Sequence, residues 1–168
     1  MDEYKDFIKP DPQSITYGSY LKVHELLDLQ VELSQPKEHD ETLFIIIHQV
    51  YELWFKQILH EIDQIERMLA ADKPMTVVRA LKRINTIQKV LIQQVDILET
   101  MTPDEFNRFR SNLNPASGFQ SHQFRVLEFR LGLKNLAHFR FFAHDPRSQA
   151  KLEAALNAPS LYDAFLHY

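Results

Sequence analysis

The chain has 168 residues, no cysteine, three glycines and a formal net charge of −4. A chain of this length is typical of one domain that buries roughly two thirds of the surface its unfolded form exposes. Without cysteine there is no disulfide, thiolate metal site or cysteine nucleophile. The few glycines leave no glycine-rich phosphate loop. Positive and negative charges are intermixed, so the sequence shows no basic patch of the kind that binds nucleic acid.

Residues 1–14 are polar and acidic and contain Pro10 and Pro12. We predict a flexible N-terminal arm here, ordered only by contact with something else, and one domain over 15–168. The arm is the reverse of a signal peptide in composition, and no apolar run approaches the roughly 18 residues of a membrane span. The sequence therefore predicts a cytoplasmic protein that engages neither a membrane nor nucleic acid.

Helical periodicity organises the first half of the domain. A helix is predicted over about 19–33, and Pro36 closes it. No helix breaker lies between Asp40 and Pro74, and the apolar residues there keep helical phase, which predicts one helix of about thirty residues. A second long helix with coiled-coil-like apolar spacing follows over 75–100. The short turn between these two helices predicts that they pack antiparallel.

Shorter helices fill the second half. Thr102 and Glu105 form a capping box, and Pro103 occupies the first helical position. This pattern predicts a helix from Pro103 to about Leu113. Residues 114–121 form the main irregular loop, a kind of segment that often carries function. Further helices are predicted over 121–133, over 145–157 and from Ser160 onward, with a polar connection between the first two. Because no segment is typical of a strand, the predicted fold is all-α, a bundle of long antiparallel helices.

The most apolar stretch of the chain, residues 42–56, contains a histidine, His48. Its apolar residues fall on every side of a helix, which predicts a helix buried all round. Phe44, Tyr51 and Phe55 share a helical face with the imidazole. Burial disfavours the charged ring, so we expect a neutral imidazole near pH 7. The spacing fits either a functional group or a core histidine whose two nitrogens are satisfied by neighbours.

Phe106 and Arg110 lie four residues apart in the helix that begins at Pro103, and so share a face. A guanidinium beside an aromatic wall can hold a carboxylate by two parallel hydrogen bonds. The alternative is a solvated arginine. Ser117, in the loop, is either a ligand contact or an ordinary turn residue. No Glu-x-x-His pair occurs anywhere in the chain, so a di-iron site is not predicted.

Four sequence blocks, taken together, resemble the N-terminal half of the tryptophan 2,3-dioxygenase family. They are ITYGSYL, DETLFIIIHQVYELWFKQIL, EFNRFRSNLNPASGFQSHQFR and PSLYDAFL. The resemblance implies a helical homotetramer of the tryptophan/indoleamine dioxygenase type that binds b-type haem. The reaction it implies inserts both atoms of O₂ across the indole C2–C3 bond of L-tryptophan to give N-formylkynurenine, the first step of the kynurenine pathway.

The resemblance also implies roles for individual residues. His48 matches the distal catalytic histidine, and Arg110 matches the arginine that binds the substrate carboxylate. The substrate pocket that it implies consists of Phe44, Ile45, Ile46, Ile47, His48, Phe106 and Arg110. Ser117 and Gly118 match the loop beside the haem, and Tyr17 and Tyr20 match residues contributed by a neighbouring subunit.

The sequence departs from the family pattern at two points. His122 stands where the family usually has leucine, so it either alters the haem environment or faces solvent. The histidine that ligates the haem iron lies in the C-terminal half of the family sequence, and no histidine here matches it. Without that axial ligand the iron loses its main bond to the protein. A non-catalytic helical scaffold or oligomerisation module is therefore the alternative function.

Overall fold

The computed structural model describes residues 14–168. It divides the chain into two compact units, Met1–Val31 and Glu32–Tyr168. Apart from Ser14, the predicted N-terminal arm lies outside the described residues. The secondary structure throughout the described part is helical, with no strand, which confirms the predicted all-α class.

The first unit contains two short helices, α1 (Tyr17–Leu21) and α2 (Val23–Leu27). The side chains of Thr16 and Ser19 cap the start of α1 reciprocally. Lys22, between the helices, has a φ of 55° and therefore interrupts the helical path. The prediction of one continuous helix over 19–33 is wrong, because the helical path breaks at Lys22 and α2 ends at Leu27.

The second unit contains six α-helices. They are α3 (His39–Ala70), α4 (Pro74–Leu98), α5 (Pro103–Arg110), α6 (His122–Arg130), α7 (Pro146–Asn157) and α8 (Leu161–Leu166). Short 3₁₀ segments follow α5 at Ser111–Leu113, lie in the loop before α6 at Gly118–Gln120 and connect α6 to α7 at Leu136–Phe142. The segment Leu136–Phe142 was predicted only as a polar connection. None of the described helices combines the length and the hydropathy that a membrane span requires.

The two long helices α3 and α4 pack antiparallel, as predicted. Near one end, Gln94 Nε2 donates to the carbonyl oxygen of Ile47 at 3.1 Å. Further along, Arg83 forms a 2.7 Å ion pair with Glu61. Residue numbers therefore fall on α4 as they rise on α3. The core between these helices and α6 consists of Ile58, Ile62, Ile65, Leu69, Val77, Ala80, Ile84, Ile87 and Leu127.

The apolar stretch at residues 42–56 is not buried all round. Ile47 is buried against α4, whereas Ile46 is 42 % exposed, Leu53 is 52 % exposed and His48 is also exposed. The sequence prediction is wrong on this point because periodicity records where apolar residues fall but not which neighbours cover them.

The first turn of α3 holds the non-helical segment that precedes it. The Leu33 N–H donates to one oxygen of the Glu41 carboxylate at 2.7 Å, and the Ser34 N–H donates to the other at 3.0 Å. Glu41 is fully buried. The Ser34 hydroxyl in turn accepts from the Glu38 N–H at 2.9 Å. These side chains satisfy backbone donors that a helix would otherwise pair, which explains why the predicted helix does not continue through this segment.

These contacts also change the acidity of Glu41. Burial raises the pKa of its carboxyl, but hydrogen bonds from the Ser34 side chain and from the backbone of Leu33 and Ser34 outweigh burial. The pKa therefore lies below the ordinary 4.5. A carboxylate with a lowered pKa in the folded state stabilises the fold above its unfolded-state pKa. That contribution is lost as the pH falls through the folded-state pKa.

Truncation of Ile62, which is 0 % exposed in the core, tests the α3–α4 packing. We expect Ile62→Ala to lower the free energy of unfolding by about 2–5 kcal/mol, because it leaves a cavity between well-packed helices. The matched control is Ile92→Ala on α4, where the side chain is 71 % exposed and the change should stay within about 0.5 kcal/mol. Urea unfolding measures both, and equal losses would contradict the described packing.

Substitution of Glu41 tests the role of its carboxylate. We expect Glu41→Gln to lower the free energy of unfolding at pH 7 by about 1.5–3 kcal/mol, since a charged acceptor of two backbone hydrogen bonds is lost. The difference from wild type should shrink as the pH falls below 4.5, because the wild type then loses the same contribution. Urea unfolding over a pH series measures this, with exposed Glu153→Gln as the control. A difference independent of pH would refute the assignment.

Candidate functional site

One face of α3 lines a cavity of about 450 Å³. The α3 residues in its wall are His48, Tyr51, Glu52 and Phe55. The loop contributes Ser117, Gly118 and Phe119, and α6 contributes Phe124 and Arg125. The spacing of three and four residues places the α3 side chains on one face, as predicted for Tyr51 and Phe55. The volume lies in the range of small-molecule binding sites.

His48 is held by its own helix. Its Nδ1 lies 2.7 Å from the carbonyl oxygen of Phe44, one turn earlier in α3. Because a carbonyl oxygen only accepts, Nδ1 carries the hydrogen in this contact, and Nε2 of the neutral ring is then an acceptor. The ring is exposed, so the buried core histidine considered from the sequence is not found. Nε2 is the nitrogen available to a ligand.

A line of aromatic rings connects His48 with Arg110. The ring centroids of His48 and Phe44 are 4.1 Å apart, and Phe44 stacks on Phe106 with centroids 5.5 Å apart. The Arg110 guanidinium lies 5.6 Å from the Phe106 centroid. Within residues 14–168, Arg110 forms no ion pair with a carboxylate. The structure thus brings four of the predicted site residues together and leaves the guanidinium open to an external anion.

Phe109 fixes α5, which carries Phe106 and Arg110, against α3. It is fully buried, and its ring meets Phe44 edge-on at 5.6 Å and Phe106 edge-on at 5.4 Å. Such aromatic pairs stabilise by about 0.5–1.5 kcal/mol beyond their buried area. The Thr102–Glu105 capping box begins α5 as predicted. Phe109 therefore sets the spacing between the imidazole and the guanidinium, a role that the sequence analysis missed.

The loop that closes the cavity is stabilised by a second capping box. The Ser117 N–H donates to Gln120 Oε1 at 3.0 Å, and the Ser117 hydroxyl oxygen accepts from the Phe119 N–H at 3.3 Å. Ser117 also lines the cavity, and its hydroxyl can donate as well as accept a hydrogen bond. A Cβ added to Gly118 would meet nothing within 4 Å, so open space borders that position.

Other residues predicted for the site lie elsewhere. Ile46 and Ile47 line a different cavity, between α3 and α4. Ile45 is half-buried and does not line the cavity beside His48. Tyr17 and Tyr20 belong to α1 of the first unit, where they are 78 % and 75 % exposed. The roles that the resemblance implies for these five residues stay predictions.

His122 lines another cavity, of about 470 Å³, and not the one beside His48. Its Nε2 lies 3.1 Å from Lys151 Nζ, and because an ammonium only donates, the ring accepts this hydrogen bond. Burial, together with the charge of Lys151, lowers the pKa of His122. The substitution of histidine for the family's usual leucine thus places a base next to α7.

The sequence analysis also missed the contact that joins α3 to α6 beside the cavity. The amide nitrogen of Gln123 donates to the Glu52 carbonyl oxygen at 2.9 Å and to the Glu52 carboxylate at 2.8 Å. The only signal in the sequence was the position of Gln123 within a block that resembles the family. This contact fixes the direction of the carboxylate within the cavity wall.

The fold and the site together define an all-α protein with a cavity for a small molecule, one imidazole acceptor and one open guanidinium. Comparisons with known proteins give the family. The family model for tryptophan 2,3-dioxygenase matches residues 7–160. The chain therefore belongs to the tryptophan 2,3-dioxygenase family, a family of enzymes, as its sequence blocks predicted.

Individual relatives agree with this assignment. The chain is 54 % identical to a tryptophan 2,3-dioxygenase of Herpetosiphon aurantiacus, over 93 % of this chain and 60 % of the relative. It is 52 % identical to one of a Nocardioides species, over 90 % of this chain and 59 % of the relative. A third, of Anaeromyxobacter dehalogenans, is 48 % identical over 92 % of this chain and 58 % of the relative. The chain thus spans about three fifths of the length of these relatives.

The hydrogen bond to Phe44 gives His48 a specific tautomer. At alkaline pH we expect its Nδ1 to carry the hydrogen and Nε2 to be unprotonated, the reverse of the usual preference of a free imidazole. Long-range ¹H–¹⁵N NMR distinguishes the two nitrogens, with His48→Gln to assign the signals. Exposed His144 is the reference ring. Protonation of His48 at Nε2 would contradict the geometry.

Proposed function

We propose that the chain provides the distal side of a haem-dependent site that converts L-tryptophan and O₂ to N-formylkynurenine. The observation that carries this proposal is the line from the acceptor nitrogen of His48 through two stacked rings to the open guanidinium of Arg110. L-tryptophan has a matching arrangement of groups, since an indole N–H lies at one end of the molecule and a carboxylate at the other. Family membership supports the same conclusion.

The residues of this chain bind and orient the substrate in this proposal. His48 Nε2 accepts a hydrogen bond from the indole N–H, and Arg110 holds the carboxylate by two parallel hydrogen bonds. Phe44 and Phe106 supply an apolar wall against the indole ring. Two fixed polar ends and an aromatic wall hold a reactant in one orientation, and orientation alone can lower a barrier by several kcal/mol.

The residues beside His48 fit a haem group. The cavity is bounded by the aromatic rings of Phe55, Phe119 and Phe124, and Ser117 can donate a hydrogen bond into it. Arg125, in the same wall, has a buried Nε without a hydrogen-bond partner, as expected for a site that takes an anionic group. Haem, when bound, supplies the redox-active iron that O₂ chemistry requires. By resemblance, its axial histidine belongs to the part of the family sequence that this chain does not span.

The assembly and its location are part of the same proposal. We infer a homotetramer in which Tyr17 and Tyr20 of one subunit complete the pocket of a neighbour. Both side chains are exposed on one face of α1, which makes them available for such a contact. The complete enzyme is proposed to act in the cytoplasm.

A non-catalytic helical scaffold is the second candidate function. Among the described residues, His48 is the one histidine that lines the cavity, so residues 14–168 supply no second histidine there. Large apolar side chains are also exposed on α4 and α8, including Met75 at 73 % and Phe165 at 61 %. Exposed apolar side chains of this kind are typical of surfaces that bind other chains.

A haem titration separates the two functions. We expect the chain fused to the remaining sequence of the Herpetosiphon relative to show a Soret band at one haem per chain that shifts when L-tryptophan is added, because the resemblance assigns the axial histidine to that remaining sequence. His48→Ala and Arg110→Ala should each weaken the affinity for tryptophan by roughly 10- to 100-fold, because each removes a polar contact of about 1.5–3 kcal/mol.

The control for this titration is Arg108→Ala, which removes an exposed arginine of α5 that pairs with Asp104. It should leave the spectral shift unchanged. If the fusion does not bind haem at all, the scaffold is favoured. Unchanged tryptophan affinity in both site variants would show that the site assignment is wrong.

A further inference from the structure

We propose that a second cavity, between α3, α6 and α7, binds a small aliphatic carboxylate. The ammonium group of Lys151 holds the carboxylate at one end of this cavity, and the aliphatic body of the ligand lies along α6. The cavity is separate from the one beside His48, and binding there does not depend on the proposed function. Its lining, its charges and its length together define the class of ligand.

The wall of this cavity is mainly aliphatic. Its volume of about 470 Å³ is large enough for a small molecule. The aliphatic side chains come from three helices and are Leu59 of α3, Val126 of α6, and Ala154, Ala155 and Ala158 of α7. The described residues of the lining include no phenyl or indole ring. Such a wall offers no stacking partner to an aromatic ligand and therefore favours an aliphatic one.

One end of the cavity carries a positive charge without a carboxylate partner. Among the described residues, Lys151 forms no ion pair, and its Nζ donates to Nε2 of His122 at 3.1 Å. Burial, together with the charge of Lys151, lowers the pKa of His122, so the ring is neutral at pH 7 and does not offset that charge. An ammonium group has three N–H donors, and the imidazole uses one of them. Two donors of Lys151 are therefore left for an anion.

The opposite end of the cavity has a surplus of negative charge. Arg130 pairs with Asp63 at 2.8 Å and with Glu66 at 2.9 Å, so one guanidinium faces two carboxylates. His122 is the first residue of α6 and Arg130 the last, which separates the two ends by about 12 Å along the helix. Because like charges repel, a ligand carboxylate is directed toward Lys151 and away from Asp63.

The aliphatic side chains lie between these two charged ends. Val126 is four residues from both His122 and Arg130 on α6, so the three side chains share one face of that helix. On α3, Leu59 precedes Asp63 by one turn. A ligand held at Lys151 therefore places its chain against Val126 and Leu59, and burial of its methylene groups adds to the affinity.

His122 makes the affinity of this site for an anion depend on pH. The charged groups that face its ring are Glu52 on α3, Asp145 just before α7, and Arg147 and Lys151 on α7. Burial is the main cause of the lowered pKa, so the ring becomes charged only at a pH below the ordinary 6.5. Protonation then adds a second cation beside the ligand carboxylate. The leucine that the family usually has at this position cannot supply that charge.

The test compares octanoate with octanamide, which have the same aliphatic chain and differ in charge. Titration of the ¹⁵N-labelled chain at neutral pH, followed by ¹H–¹⁵N NMR, measures each affinity and locates the site. We expect octanoate to shift the amide signals of Val126, Lys151 and Ala154. It should bind about 10-fold more tightly than octanamide, the ratio that one charge-assisted hydrogen bond gives. Equal affinities, binding of neither, or shifts confined to other residues overturn the proposal.

A variant then assigns the preference to Lys151. We expect Lys151→Met to lose the preference for octanoate while it still binds octanamide, because methionine keeps an apolar chain without the charge. The matched control is Lys89→Met on α4, which removes an exposed lysine outside the cavity and should behave as wild type. The side chain of Lys151 is also exposed, so the variant should fold, and its amide spectrum reports this. Retention of the full preference in Lys151→Met overturns the proposal.

A pH series with octane-1-sulfonate, which stays ionised throughout, tests the contribution of His122. We expect its affinity to rise by about 3-fold or more as the pH falls from about 8 to about 5, the size of one exposed charge pair. His122→Leu should bind as wild type at pH 8 and lose the rise. A rise of equal size in this variant shows that His122 has no part in the site.

A longer chain tests whether the cavity stays accessible. In the fusion with the remaining sequence of the Herpetosiphon relative, we expect octanoate to shift the same amide signals. Loss of these shifts would show that the added sequence covers the cavity, which overturns the proposal for the longer protein. The result does not depend on whether the fusion binds haem or tryptophan, since neither takes part in the titration.

Discussion

The antiparallel packing of α3 against α4 is the constraint on which the rest of the structure depends. Isoleucines that are almost fully buried, Ile58, Ile62 and Ile65, occupy one side of α3 and lock its rotation. That side packs against α4 and against Leu127 of α6, and the α3 side chains of His48, Tyr51, Glu52 and Phe55 line the cavity. The packing of these isoleucines therefore fixes the direction in which α3 presents His48.

Two later elements are attached to this helical pair by different kinds of contact. Phe109 holds α5 by aromatic packing, which orients Arg110, whereas Gln123 holds α6 by hydrogen bonds to Glu52, which orients Arg125. Leu127 also joins α6 to the isoleucine core. Arg110 and Arg125 are therefore positioned by separate contacts.

The sequence predicted the elements whose signals are local. The long helices, their antiparallel packing and the start of α5 follow from apolar period, chain breakers and a capping box, all of which act within a few residues. The helix expected over 19–33 failed because Lys22 adopts a left-handed φ of 55° and α2 ends at Leu27. Beyond α2, the buried Glu41 carboxylate takes the Leu33 and Ser34 donors from a position farther along the chain. The expected burial of residues 42–56 also failed, because the helical spacing of apolar residues does not show which neighbouring elements cover them.

The same difference between local and long-range signals applies to the residues of the candidate site. Resemblance named His48 and Arg110, and the structure brings them together. Nothing in the sequence distinguished Arg125, because an arginine in a helix is ordinary until its burial and the lack of a hydrogen-bond partner at its Nε are known. Only the three-dimensional surroundings distinguish it from Arg108.

The hydrogen bond from His48 to Phe44 has a consequence for affinity. Both residues belong to one helix, so the imidazole loses its rotational freedom when α3 forms and not when a ligand arrives. A ligand that uses Nε2 therefore meets a preorganised acceptor and bears little of the entropy cost of ordering it. The ring's direction therefore does not rely on α6 or the loop, because its one hydrogen-bond partner belongs to α3.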